Sequence, residues 1–160
     1  MAAPPRGNTG YSVYFFTAST AQRSPLFRKD PMAQLFMEVL FHYQDHKNYL
    51  LHEFVLMPDH FHLLISPTLS LERSLQLIKG GFSYRAKKEL GFTGEIWDKS
   101  FYDRRVRAAE DYYNFRQYIR QNPIKQGLVI ALANYPYSST RPELAMDEVP
   151  QRLKPSSLTA

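Results

Sequence analysis

The sequence has no cysteine among its 160 residues. This absence excludes disulfides, thiolate metal sites and a cysteine nucleophile. Long hydrophobic runs are also missing, because the apolar runs, such as FVLM at residues 54–57, are far too short to span a bilayer. Residues 1–10 lack the apolar core of a signal peptide and predict a disordered leader. We therefore expect a soluble cytoplasmic protein with no membrane partner.

Positive charge is in excess, and it is unevenly spread. The formal net charge is +5, and residues 72–107 hold nine basic against five acidic side chains. Concentrated positive charge favours a polyanionic partner such as a phosphate backbone. Charge alone leaves open that these are solvated faces of helices and strands. The candidates for phosphate contact in this segment are Lys79, Arg85, Lys87, Lys88, Arg104, Arg105 and Arg107.

Hydrophobic patterning predicts a mixed α+β domain. Apolar spacing indicates three helices, the first begun by Asp30-Pro31. The last is expected to end at Pro123, because proline disfavours helical geometry in the residue before it. The predicted elements are a strand at 11–19, a helix at 32–44, a two-strand hairpin at 51–66, a helix at 70–90, a strand at 101–107 and a helix at 110–122.

The order β-α-β-β-α-β, followed by a helix, is that of a ferredoxin-like or RRM-like sandwich with an antiparallel sheet. We predict that this domain covers residues 11–133. Residues 134–160 are polar and contain proline and serine, which predicts an extended or partly disordered tail.

Two histidines, His60 and His62, lie in the second strand of the hairpin. Side chains alternate along a strand, so both imidazoles share a face about 6–7 Å apart while Phe61 points the other way. A two-residue turn at Pro58-Asp59 would place them on the face away from the core. Two imidazoles on one face can converge on one divalent metal, although such a pair is also compatible with a structural role.

The third predicted helix holds tyrosines in three different environments. Tyr112 aligns with apolar residues and is expected in the core, whereas Tyr113 has polar neighbours and is expected on the surface. Tyr118 lies at the border, where its ring is anchored and its hydroxyl is open. Asn122, one turn later, offers an amide oxygen as a third metal ligand. Taken alone, a tyrosine in this position is more often a packed helix residue than a nucleophile.

Three passages occur together in an order that is specific to one family. They are MPDHFHLL at 57–64, WDKSFYD at 97–103 and YIRQNPIKQGL at 118–128. The chain, over roughly residues 11–140, resembles the single-tyrosine HUH transposases. Within them it is most similar to the REP-associated tyrosine transposases, domesticated relatives of small insertion-sequence transposases.

The resemblance implies that His60, His62 and Asn122 bind Mg²⁺ or Mn²⁺ and that Tyr118 is the nucleophile. It implies a single-stranded DNA hairpin as substrate, with a tetranucleotide beside the stem that guides recognition. The implied product is a covalent 5′-phosphotyrosine with a free 3′-hydroxyl, formed at the nucleoid. Because one diester is exchanged for another, the reaction also runs backward as strand joining. Relatives occur as monomers and as dimers that exchange the tyrosine helix, so both states stay open.

A phenol needs assistance to react at neutral pH, because its usual pKa is near 10. The field of the metal and nearby cations such as Arg120 are candidates for that assistance. Arg120 is also a candidate DNA contact.

Two rival functions make different predictions. The segment KGGFSY at 79–84 faintly resembles the RNP motif of RNA-binding RRM domains, but it lies in a helical pattern. A non-catalytic RRM-like single-stranded nucleic-acid-binding module would bind without metal. A histidine-dependent metal hydrolase would cut the strand without forming a protein–DNA adduct.

Overall fold

The computed structural model describes residues 11–154. The predicted leader at 1–10 lies outside the described residues, as do residues 155–160. The main elements follow the predicted order, with short 3-10 helices in the connections and in the tail. They are β1 (Val13–Thr20), α1 (Asp30–Asp45), β2 (Tyr49–Met57), β3 (His60–Pro67), α2 (Leu71–Leu90), β4 (Trp97–Val106) and α3 (Ala109–Lys125).

The four strands form one antiparallel sheet in the order β2-β3-β1-β4. This arrangement confirms the predicted ferredoxin-like α+β fold. Met57 pairs with His60, so the turn between β2 and β3 is the two-residue Pro58-Asp59 turn that was expected. The two carbonyls of this turn accept hydrogen bonds from the backbone of Phe27 and Thr20, which fixes the turn against the preceding loops.

The two faces of the sheet are covered by different helices. One face, here called the core face, packs under α1 and α2, and residues such as Phe36, Phe61 and Phe82 are fully buried there. The other face, here called the site face, packs under α3, whose Tyr112 and Ile119 lie against it. Tyr112 is therefore a core residue and Tyr113 is exposed, as the helical spacing predicted.

The end of α3 differs from the prediction. The helix runs to Lys125 with Pro123 inside it, so the expectation that Pro123 ends the helix was wrong. Pro123 removes the hydrogen bond that its own nitrogen would donate and crowds the carbonyl four residues earlier, but only two helical residues follow it, so the disruption is confined to the last turn. Asn122 consequently lies within the helix, where its backbone is fixed.

A β-bulge interrupts the pairing of β2 with β3 at His52. Leu51 pairs with Ile65, but Glu53 already pairs with Leu64. The extra residue shifts the alternation of side chains by one position. Leu51 is therefore buried on the core face, whereas Glu53 points to the site face.

Much of the described part of the tail runs along the outer edge of β2. The backbone amide of Leu56 donates to the carbonyl of Tyr137, and the amide of Ser139 donates to the carbonyl of Phe54. Tyr135 and Leu153 are buried on the site face. The tail thus supplies both hydrogen bonds and apolar contacts to the sheet. Within residues 11–154, no helix is both long enough and apolar enough to cross a membrane.

Candidate active site

The two histidines of β3 lie side by side on the site face. Their ring centroids are 4.8 Å apart. His62 is opposite Thr17 of β1, and His60 is opposite Ser19. The strand alternation that predicted a shared face for the imidazoles therefore holds in the structure.

Each imidazole is oriented by a hydrogen bond at Nδ1. His60 Nδ1 donates to the Asp59 carboxylate at 2.7 Å, and His62 Nδ1 is hydrogen-bonded to Thr17 Oγ1 at 2.6 Å. Burial opposes ionisation of Asp59, but the hydrogen bond and charge of His60, together with Arg23, hold the pKa of this carboxyl below its usual value. Such bonds at one ring nitrogen are typical of metal-binding histidines, because they aim the other nitrogen.

His62 is held in its neutral form. Burial is the main reason that the pKa of His62 is lowered to about 3, with smaller electrostatic contributions from His60 and Arg23. A neutral imidazole retains the lone pair that a metal requires.

Helix α3 places Tyr118 next to His62 and carries Asn122 one turn further along. The Tyr118 ring lies 5.1 Å from the His62 ring and 6.2 Å from the Phe15 ring, both measured between centroids. Tyr118 is 45% exposed, so its ring is anchored and the side chain is open to solvent, as predicted. Asn122 lies one turn further along and is buried.

Only two buried side-chain polar atoms among residues 11–154 lack a hydrogen-bond partner. They are His62 Nε2 and Asn122 Oδ1. An unpaired buried polar group costs folding free energy, so natural proteins rarely keep one without a function. One imidazole nitrogen and one amide oxygen are suitable ligands for a divalent cation, and both belong to the predicted set. The same described residues contain no cluster of three His, Cys, Asp or Glu side chains suited to a metal.

A cavity of about 210 Å³ opens beside His60. Arg23 and Arg28 line it, together with the turn between β2 and β3 and with Gln126 just after α3. Guanidinium groups that line a cavity are well suited to phosphate oxygens, although Arg23 is also paired with Asp59 at 3.1 Å. These two arginines lie outside the basic segment at 72–107 and were not predicted to contact phosphate.

Arg120 makes a contact that the sequence did not reveal. Its guanidinium donates to both carboxylate oxygens of Glu53, at 3.1 and 3.0 Å. Residues two positions apart do not face each other on a helix, so this arrangement gives no support to the prediction that Arg120 assists Tyr118.

The predicted DNA-contacting residues do not form one surface. Lys79, Arg85, Lys87 and Lys88 belong to α2, on the opposite side of the sheet from Tyr118. Lys79 lies over the rings of Trp97 and Phe101, and Arg85 is paired with Glu38 and Glu89.

The arginines of the last strand point in different directions. Arg104 pairs with Phe15 and so projects to the site face, whereas its neighbour Arg105 pairs with Tyr14 and projects to the other face. Arg107 follows the strand and is exposed.

Sequence reasoning missed the residues that support the site. Thr17 is hidden in a run of strand-forming residues, and its role depends on pairing with a distant strand. Asp59 carried a readable signal, because it directly precedes His60. The RNP-like segment at 79–84 lies in α2, as its helical pattern indicated, and therefore contributes no stacking platform to the sheet.

Comparison with known proteins identifies the family. The model of the family described as "Transposase IS200 like" matches residues 11–122. A protein of Haemophilus influenzae with the provisional name REP-associated tyrosine transposase is 24% identical over 158 residues, which is 91% of this chain and 89% of that protein.

Two solved structures share the fold. A REP-associated tyrosine transposase bound to a REP hairpin has a TM-score of 0.68 at 22% identity, covering 98% of this chain and 96% of its own. A protein of Deinococcus radiodurans, provisionally described as a transposase, has a TM-score of 0.51 at 21% identity, covering 68% and 89%. The predicted resemblance is confirmed: the chain belongs to the IS200-like transposases, a family of DNA-processing enzymes.

Proposed function

We propose that this protein cuts and rejoins hairpin-forming single-stranded DNA through a covalent bond to Tyr118. The observation that carries the proposal is the pair of unpartnered buried atoms, His62 Nε2 and Asn122 Oδ1, next to a half-exposed tyrosine. A merely structural tyrosine and histidine would not require two buried polar atoms to stay unpaired.

The residues that would hold a divalent cation are His60, His62 and Asn122. Two nitrogens and one oxygen favour Mn²⁺, although the open positions also suit Mg²⁺. When bound, the ion polarises the scissile phosphate as a Lewis acid. Thr17 and Asp59 support this role by aiming the two imidazoles.

Tyr118 acts as the nucleophile. Its oxygen attacks phosphorus and loses its proton, the bond from phosphorus to the 3′ oxygen breaks, and the 3′ oxygen takes up a proton. One phosphodiester replaces another, so the free 3′-hydroxyl can attack the phosphotyrosine and restore the strand. No ATP is needed for either direction.

The substrate is a REP-like hairpin. Support comes from the fold shared with a transposase solved in complex with such a hairpin. Arg23 and Arg28 would contact the phosphate next to the metal, and Arg104 projects to the same face as the site. The protein would act at the nucleoid, as a monomer or a homodimer. Further contacts to the hairpin backbone would come from Lys79, Lys87, Lys88, Arg105 and Arg107, whereas Arg85 and Arg120 are already paired with carboxylates.

A covalent adduct is the direct test. The protein is incubated with Mn²⁺ or Mg²⁺ and a pool of hairpin-forming single strands selected for binding to it. The wild type should form an adduct that survives denaturing electrophoresis, and Tyr118→Phe should form none. Tyr113→Phe is the matched control, because Tyr113 lies on the same helix and is 48% exposed; it should form the adduct normally.

Three outcomes contradict the proposal. An adduct that persists in Tyr118→Phe would exclude this nucleophile. Strand scission without any adduct would indicate a metal hydrolase. Binding that needs no metal and leads to no cleavage would indicate an RRM-like binding module.

A further inference from the structure

A carboxylate is buried between the sheet and α3. Glu53 is 5% exposed and is bonded to Arg120 through both of its oxygens, at 3.1 and 3.0 Å. The Arg116 guanidinium lies 3.6 Å from the same carboxylate. Burying such a group is costly, and a buried ion pair often contributes little to stability compared with apolar residues of the same size. Stability therefore does not explain why a glutamate occupies this position.

The bulge in β2 is what brings Glu53 to α3. In a regular strand Glu53 would share the core face with Leu51, under α1 and α2. The extra residue, His52, reverses this orientation. His52 is itself buried and hydrogen-bonded through both ring nitrogens, to Ser66 Oγ and to the carbonyl of Asp147, each at 2.8 Å. The bulge is thus held from two sides, and Glu53 is aimed precisely.

The position of the arginines on α3 determines what this contact controls. At 100° per residue, Arg116 and Arg120 lie on one flank of the buried stripe that is centred on Ile119. Tyr118 and Asn122 lie on the other flank. Because a helix is rigid, holding one flank sets the rotation of the other. A bond through both carboxylate oxygens fixes direction as well as distance.

The tail completes the contact. Ser139 Oγ donates to Glu53 Oε1 at 2.7 Å, and the Ser139 amide is paired with the backbone of β2. The carboxylate is consequently held by the tail on one side and by α3 on the other.

We propose that Glu53 is a positioning residue, an inference that rests on the proposed function. Its bond to Arg120 sets the rotation and height of α3 on the sheet. Tyr118 and Asn122 are thereby held over the histidine pair, although Glu53 itself touches neither DNA nor metal.

The test compares Glu53→Gln and Arg120→Lys with the wild type. Lysine keeps the charge of Arg120 but loses its planar fork, so this second variant is informative if the first does not fold. Three quantities are measured well below the melting temperature. They are the affinity for the selected hairpin without metal, the single-turnover rate of adduct formation, and the affinity for Mn²⁺ alone by electron paramagnetic resonance.

Misplaced catalytic groups should slow the chemistry more than they weaken binding. We expect the adduct rate to fall about 100-fold, since displacements near 1 Å have such effects. Mn²⁺ affinity should fall about tenfold, as on loss of outer supporting residues. Hairpin affinity should change no more than about twofold, because binding and chemistry are separable. Glu38→Gln is the matched control: Glu38 is an exposed partner of Arg85 on α1, and its loss should change none of the three.

Two results distinguish failure of the inference on Glu53 from failure of the proposed function. If both variants melt earlier but keep the wild-type adduct rate and Mn²⁺ affinity, Glu53 is only structural and the inference is overturned. If the wild type itself forms no adduct dependent on Tyr118, the proposed function fails instead. The Mn²⁺ measurement without DNA then still decides whether Glu53 positions Asn122.

Discussion

The two faces of the sheet differ in the elements that cover them and in the polarity of the residues that they bury. The core face is covered by two helices and filled with apolar side chains, including closely packed rings of Phe36, Phe61 and Phe82. The site face is covered by one helix and the tail, and it buries the polar residues His62 and Asn122. The core face thus provides most of the apolar burial, whereas the site face keeps unpaired polar atoms at a cost to stability.

The core face should therefore determine the unfolding free energy, and the site face the proposed chemistry, within a single sheet. Adjacent residues of β3, such as Phe61 and His62, belong to different faces and should respond differently to substitution. Changes on the core face should alter the unfolding free energy and leave the chemistry of folded molecules intact. Changes to the polar residues of the site face should impair the proposed chemistry without lowering the unfolding free energy.

The largest expected effect on stability is on the core face. Phe36 is fully buried, and its ring lies 4.9 Å from that of Phe61. Phe36→Ala should lower the unfolding free energy by about 3–5 kcal/mol, because it removes buried apolar area and leaves a cavity. Urea titration measures the loss. Phe101→Ala, at a half-exposed ring, is the control and should cost much less. A lower adduct rate per folded molecule in Phe36→Ala would contradict the separation of stability from chemistry between the two faces.

The second expected effect is on the proposed metal site. Thr17→Val keeps the shape of the side chain but removes the hydrogen bond to His62 Nδ1. The Mn²⁺ concentration for half-maximal adduct formation should rise about 10–100-fold, as is typical when the partner of a metal-binding histidine is lost. Thr17→Ser keeps the hydroxyl and should behave like the wild type. An unchanged Mn²⁺ requirement in Thr17→Val would show that this bond does not orient the imidazole.

The smallest expected effect on the unfolding free energy is an increase rather than a loss. Asn122→Leu replaces a buried amide, whose oxygen has no partner, by an apolar group of similar size. The unfolding free energy should increase by about 1–2 kcal/mol, while the adduct disappears. Thermal and urea denaturation measure the gain. Asn114→Leu on the exposed side of α3 should give none. If Asn122→Leu is less stable than the wild type, the amide is not an unpaired group in solution.

The orientation of the candidate site residues could be predicted from the sequence where strand alternation or helical spacing determines it. Alternation in β3 and the short Pro58-Asp59 turn placed the histidines opposite Phe61, and helical spacing placed Tyr118 at a border. Strand alternation in β3 and helical spacing in α3 are both regular over these few residues, so the predicted orientations were correct. The order of the elements was readable for the same reason.

The supporting residues were not readable, because their roles depend on pairings distant in sequence. The bulge at His52 reverses the direction of Glu53, and the alternating pattern itself gives no sign of an extra residue. Arg85 was predicted to contact DNA, but in the structure it is paired with Glu38 of α1. The end of α3 was misjudged because the rule for proline describes helix interiors better than last turns. The domain boundary at residue 133 stays a prediction.

The supporting hydrogen bonds span long stretches of the chain. Thr17 and His62 are 45 positions apart, Glu53 and Arg120 are 67 apart, and Glu53 and Ser139 are 86 apart. Contacts of such separation are slow to form, since the intervening loop must close first. A growing chain on the ribosome cannot form the contact between Glu53 and the tail before the segment around residue 139 has emerged. Under the proposed function, strand cleavage would therefore be limited to chains in which the tail has reached β2.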